Sequence, residues 1–147
     1  MSDHDLPPGL VPPAGFELSQ SRGGFTTHNG PVFEASTEDD LRSGLFILDR
    51  HCNSLGFLHG GMASAFADRS LAIAVSAATR KVSVTLKLTM HFHQTVRLHQ
   101  WLEARPQVLS IEADIVQVGA DLVIAGDRLA ARVDATFKTL RRPQKQG

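Results

Sequence analysis

Between Gly60 and about Ala78 the chain carries an alanine-rich, proline-free stretch with Met62, Phe66, Leu71, Ile73 and Val75, a composition that favours helix. Apolar residues fall on almost every side of that helix, broken mainly by Ser64, Asp68, Arg69, Ser70 and Ser76. A helix that is apolar all round has to be enclosed. A bilayer does not enclose it, because the longest near-continuous apolar run, Leu71–Ala78, is far short of the ~20 residues a crossing needs. The rest of the chain must wrap it, and 147 residues with 42% hydrophobic content suffice for one core but are short for two domains.

The wrapper is legible downstream. Val82, Val84, Leu86, Leu88, Met90 and Phe92 alternate with Ser83, Thr85, Lys87, Thr89, His91 and His93, the period of a strand with one buried face. Leu102, Ala104 and Val108 alternate with Glu103, Arg105 and Gln107, and Pro106 marks an edge or a bulge there. Residues 115–124 and 129–139 read as two more strands, joined by the hairpin signal Gly126-Asp127. Ahead of the helix, Glu38, Asp39 and Asp40 with Arg42 and Ser43 make a polar break before a short buried strand over Gly44–Arg50, and a turn-prone loop follows at Asn53–Gly56. One short strand, a central helix and about four long strands, with no βαβ alternation, predict an α+β domain in which an antiparallel sheet is wrapped around one central helix.

Residues 1–30, punctuated by Pro7, Pro8, Pro12, Pro13, Gly15, Gly23, Gly24 and Gly30, read as an extended arm lying on a domain of residues 31–140. Residues 141–147, with Arg141, Arg142 and Lys145, read as a solvated basic tail. Fifteen Lys plus Arg balance fifteen Asp plus Glu, which argues against an electrostatic grip on nucleic acid or an anionic membrane. Met1–Asp5 carry no Lys or Arg and no apolar stretch follows, so no signal peptide is expected. A single cysteine, Cys52, permits no internal disulfide and no cysteine-rich zinc site, and the expected compartment is the cytoplasm.

Chemistry concentrates in Asn53 to Asp68. Gly60 and Gly61 are poor helix formers at a helix start, a place where bare backbone amides can approach an oxyanion; a tight turn is the plain alternative. Asp68 sits inside an otherwise apolar helix, where a buried carboxylate costs several kcal/mol unless it is paired. The adjacent Arg69 projects about 100° away around the helix and is no automatic partner. Nine residues at ~1.5 Å and ~100° each put Asp68 about 13 Å along the axis from His59 and on the opposite side. One protomer is therefore not expected to bring the two to one reacting carbonyl, whereas a two-fold dimer would create two composite sites.

Taken together, Asn53, His59-Gly60-Gly61, Asp68 nine residues after the histidine, and Val82-Ser83-Val84-Thr85 resemble the hotdog-fold acyl-CoA thioesterases of the phenylacetyl-CoA thioesterase (PaaI-type) group, over about Gly30 to Phe137. The resemblance implies a hotdog fold and hydrolysis of acyl-CoA thioesters, aryl-CoA among them, with no cofactor and no metal. Asp68 would act as general base or nucleophile, and the amide of Gly60, assisted by Gly61, would polarise the carbonyl. Asn53 would position the water or the thioester, Ser83 would support the water or the carboxylate, and His59 would either bond near the carbonyl or shape the loop. The acyl group would lie between subunits near Phe66, Leu71 and the Asn53–Leu58 loop. The partners implied are acyl-CoA and a second copy of the chain, with a dimer of dimers as the larger assembly. Where relatives carry an aromatic, a proline and a glycine, this chain reads Gln94–Gln100, so the shape of that loop is its own.

Other residues invite weaker readings. Arg80 and Lys81 suit either the phosphates of coenzyme A or the dipole of a helix C-terminus. His91 and His93 share a strand face, but no further ligand is spaced to complete a metal site. Cys52 lacks a basic neighbour placed to lower its pKa and reads as a small buried residue rather than a nucleophile. A non-catalytic acyl-CoA binding or sensing domain on the same fold is the alternative function.

Overall fold

The alanine-rich stretch forms α2 (Gly60–Thr79) in the computed structural model, which describes residues 6–37 and 40–141. His59 caps its start, with Nδ1 accepting from the Gly61 N–H at 2.8 Å, and Arg80 ends it in the left-handed region at φ 57°. Before α2 come β1 (Glu17–Leu18), α1 (Gly24–Asn29), β2 (Val32–Ser36), β3 (Leu41–Phe46) and a 3-10 turn at Asp49–His51. After it come β4 (Val82–Phe92), β5 (Trp101–Glu112), β6 (Ile115–Ile124) and β7 (Arg128–Leu140). The strands form one seven-stranded sheet in the order β1-β2-β3-β5-β6-β7-β4, every pairing antiparallel. This is the hotdog architecture that the motif resemblance implies.

Phe66, Ala67, Leu71, Ala74 and Val75 of α2 are buried in one cluster with Val116, Val118 and Leu122 of β6 and Val133 and Phe137 of β7. The alternation read from Ala131 to Phe137 thus faces the helix. The Gly126-Asp127 hairpin also forms, both residues taking positive φ. Pro106 sits past the last β3 partner of β5, Ala104, and a register shift follows between Val108 and Ser110.

Three expectations need correction. First, α2 is enclosed on one side only: Ala65, Asp68, Ala72 and Ile73 are half-buried and Gly61 and Ser76 exposed, because a single sheet covers one face of a helix and a lone chain has nothing for the other. Second, the buried strand starts at Leu41 rather than Gly44 and has an unforeseen partner in β2, whose burial does not alternate. Third, β4 is not one uninterrupted alternation. A register shift between Thr85 and Lys87 places Thr85 opposite Phe137 and Met90 opposite Val133, on the helix side, while Val84 lies opposite Lys138.

The arm is not simply extended, since it contains α1 and β1. Its Phe16 packs edge-on against Trp101 at 5.1 Å between ring centroids, and Gly44 lets the indole lie so close that a Cβ there would sit 1.9 Å from Trp101 Cζ2. Met1–Asp5, Glu38, Asp39 and the tail from Arg142 onward lie outside the described residues; Asp40 accepts from Arg42 Nε at 2.8 Å. Among the described residues no helix is long and apolar enough to cross a membrane.

Candidate active site

The loop entering α2 is built around Asn53. Its Oδ1 accepts from the N–H groups of Leu55 (3.0 Å) and Phe57 (3.2 Å), and its own N–H donates to the Phe57 carbonyl at 2.8 Å. With Oδ1 so committed, Asn53 has its Nδ2 donor to offer a ligand. The loop is fastened by Leu58 N–H to Val96 O (2.8 Å) and His59 N–H to His51 O (2.9 Å). His51, next to Cys52 in the chain, is buried, and its Nδ1 accepts from the Leu48 N–H at 2.9 Å while Nε2 donates to Asn29 O at 2.6 Å. Burial, helped by the charge of Arg50, holds its pKa below the ordinary histidine value, against the opposing pull of its bond to Asn29 O.

Of the two glycine amides at the head of α2, that of Gly61 is taken by His59 Nδ1. A Cβ on Gly61 would lie 3.0 Å from that nitrogen, so the glycine is what lets the imidazole close over the cap. His59 therefore shapes the helix start, and Gly60 is the amide left to face a ligand. Gly60 and Asn53 share an apolar cavity of about 570 Å³ with Leu55, Phe57, Leu102 and Ala131. A carbonyl oxygen brought there meets an N–H at the positive end of a twenty-residue helix.

Asp68 lies in a different cavity, of about 480 Å³, lined also by Thr26, Asn29, Met62, Phe66 and Arg69. Its carboxylate is half-buried rather than enclosed, and Thr85 Oγ1 donates to Oδ1 at 2.5 Å. Sequence reasoning put Ser83 in this supporting role; the hydroxyl on Asp68 is that of Thr85, two residues on, and Ser83 lines a neighbouring groove. Arg69 turns away from Asp68 as its azimuth predicts, with Nη2 donating to Ser19 Oγ at 2.6 Å and pairing with Glu34. Within one chain Gly60 and Asp68 share no cavity.

Phe66 is a core residue that also lines the Asp68 cavity, whereas Leu71 is fully buried in the core and lines neither, a correction to its expected contact with substrate. Arg80 is the exposed helix cap, and Lys81 lines a groove of about 510 Å³ with Ser19, Arg69, Ser76 and Ser83. Cys52 Sγ donates to Leu48 O at 3.4 Å, and burial pushes its thiol pKa up, away from the thiolate a nucleophile needs. His91 and His93 are exposed, and among the described residues no group of three or more His, Cys, Asp or Glu could hold a metal ion.

Residues 55–131, just over half of the chain, match the family described as the Thioesterase superfamily. "Putative esterase PA0474" of Pseudomonas aeruginosa is 32% identical over 111 residues, 74% of this chain and 82% of the relative. The chain belongs to the thioesterase superfamily. It is a thioester hydrolase, and solved structures share its fold. Thioesterase HI1161 of Haemophilus influenzae superposes with a TM-score of 0.76 at 18% identity, over 86% of this chain and 89% of that one. The E. coli PaaI protein from the phenylacetic acid degradation operon does so with a TM-score of 0.74 at 16% identity, over 82% and 86%. The hotdog fold and the thioesterase superfamily that the motif resemblance implies are thus both matched.

Proposed function

We propose that this thioesterase hydrolyses acyl-CoA thioesters at sites completed by two copies of the chain. One copy supplies the Gly60 N–H to the thioester oxygen, and the other supplies Asp68 to the reaction. The observation that carries this reading is the separation of the two groups into different cavities on either side of α2, each holding half of what acyl transfer needs. The half-covered face of α2 supports the pairing, as does the free edge of β4. That strand ends the sheet and exposes Val82 (42%), Val84 (44%), Leu86 (55%) and Phe92 (57%), an apolar edge of the kind that pairs with another strand.

In the reaction, Asp68 takes a proton from water as the water oxygen bonds to the carbonyl carbon, or its carboxylate bonds to that carbon first and water later cleaves the anhydride. In both courses the carbon–sulfur bond breaks and the coenzyme A thiolate takes up a proton. Thr85, donating to Oδ1, fixes the carboxylate so that Oδ2 faces the reacting atoms, and Asn53 Nδ2 steadies the water or the thioester. The cavity beside Gly60 suits an apolar acyl group, and an aryl group is the fit we favour. Lys81 and Arg80 would face the nucleotide, and a chain with one unpaired cysteine suits the cytoplasm.

The test is release of free thiol from acyl-CoA substrates, read with a thiol-trapping dye. Asp68→Asn should lower turnover by about 10²–10⁴-fold while the protein folds and dimerises as before. Turnover at the wild-type rate would refute the assignment, and binding without thiol release by the wild type would point instead to a sensing domain.

A further inference from the structure

The Arg69 side chain is only 14% exposed, and its Nη2 is occupied by Ser19 and Glu34, yet its buried Nη1 has no hydrogen-bond partner among the described residues. A buried guanidinium donor left unmet is costly, and one that lines a cavity is met when a ligand brings an acceptor. Arg69 lines two cavities, that of Asp68 and the adjoining groove that reaches Lys81, and Thr26 lines both with it. The groove follows α2 from Arg69 past Ala72 and Ile73 to Ser76, about 10 Å along the helix axis, so the two spaces lead from the carboxylate toward a lysine.

We infer that Arg69 Nη1 donates to an amide carbonyl of the substrate's pantetheine arm, which runs from the thioester at Asp68 along Thr26 and Arg69 toward phosphates near Lys81. This rests on the hydrolase reading above. Glu34 neutralises the guanidinium, which suits a neutral amide acceptor at Arg69; the carboxylate that lines the groove with Lys81 is this same Glu34, already paired with Arg69, so the lysine suits the anionic end. The residue is thus a binding residue for the leaving group, and the acyl group plays no part in its contact.

The experiment compares one acyl group carried on coenzyme A, on pantetheine and on ethanethiol, which has no amide. In the full-length protein, Arg69→Met should lower the ratio of kcat/KM for the pantetheine thioester over the ethanethiol thioester about ten-fold, through KM. Arg105→Met, which removes an ion-paired arginine that lines neither cavity, should leave that ratio unchanged. Arg69→Lys, which keeps the charge opposite Glu34 but has no Nη1, should reproduce the fall if the Met variant does not fold. An unchanged ratio in the Arg69 variants, or the same fall in Arg105→Met, overturns the inference and leaves the hydrolase reading standing. A wild-type protein that releases thiol from none of the three overturns the hydrolase reading itself.

Discussion

Gly60 offers a substitution that deletes one hydrogen atom and little else. It is the first residue of α2, and His59 before it has φ −65° and ψ 133°, the extended conformation a residue preceding proline adopts. Proline is well accommodated at a first helical position, where its missing N–H breaks no helical bond. A Cβ at Gly60 would meet Phe92 Cζ at 3.6 Å, an ordinary contact. Gly60→Pro therefore removes the proposed oxyanion donor from a helix that still forms. Loss of one such donor lowers kcat by about 10²–10³-fold, or about 3 kcal/mol of transition-state stabilisation. Gly60→Ala is the companion, since it adds the same Cβ, keeps the N–H and gains under about 1 kcal/mol of helix propensity. Steady-state thiol release for both variants, with thermal unfolding and oligomeric state measured alongside, separates chemistry from folding. Equal kcat for a folded proline variant and the alanine variant would refute the assignment of that amide.

Thr85→Val removes the hydroxyl that bonds Asp68 and should lower kcat about ten-fold, with Thr85→Ser restoring it; a valine variant with wild-type kcat would show the contact to be idle. His51 sets a pH dependence of stability. Its folded pKa lies below the ordinary 6.5, so folded and unfolded chains are alike neutral there at high pH. As pH falls below about 6.5 the unfolded chain binds a proton that the folded chain refuses, and stability drops by up to about 1.4 kcal/mol per pH unit until the folded histidine also protonates. Denaturant unfolding from pH 7 to pH 5 should show this slope in the wild type and a shallower one in His51→Gln; identical slopes would remove His51 from the account.

The central helix and the strands around it were legible because their apolar periods are long and uninterrupted, and the last strand reads correctly from Ala131 to Phe137. β2 and α1 were not, since a five-residue strand that grades from buried to exposed without alternation and a six-residue helix with nothing buried leave no period to read. The site was legible where chemistry is written locally: the glycine pair, the histidine beside them and a carboxylate in an apolar helix. It was not legible where a tertiary detail decides. The shift between Thr85 and Lys87 puts Ser83 and Thr85 on the face that carries Met90, the placing of β4 along α2 then brings Thr85 to Asp68, and a bulge has no signature in an alternating run such as Val82–Phe92. His51 shows the same limit, because its partners, Leu48 and Asn29, are backbone groups that any residue type could supply.

Mixing two inactive proteins tests the shared site most directly. Unfolded together in equal amounts and refolded, Gly60→Pro and Asp68→Asn chains should pair at random, and each mixed dimer then holds one site with both defects and one with neither. Thiol release should return to about one quarter of the wild-type rate, although each variant alone is inactive. If amide and carboxylate serve the same site from a single chain, every site in the mixture carries a defect, and activity that stays at the level of the separate variants contradicts the account.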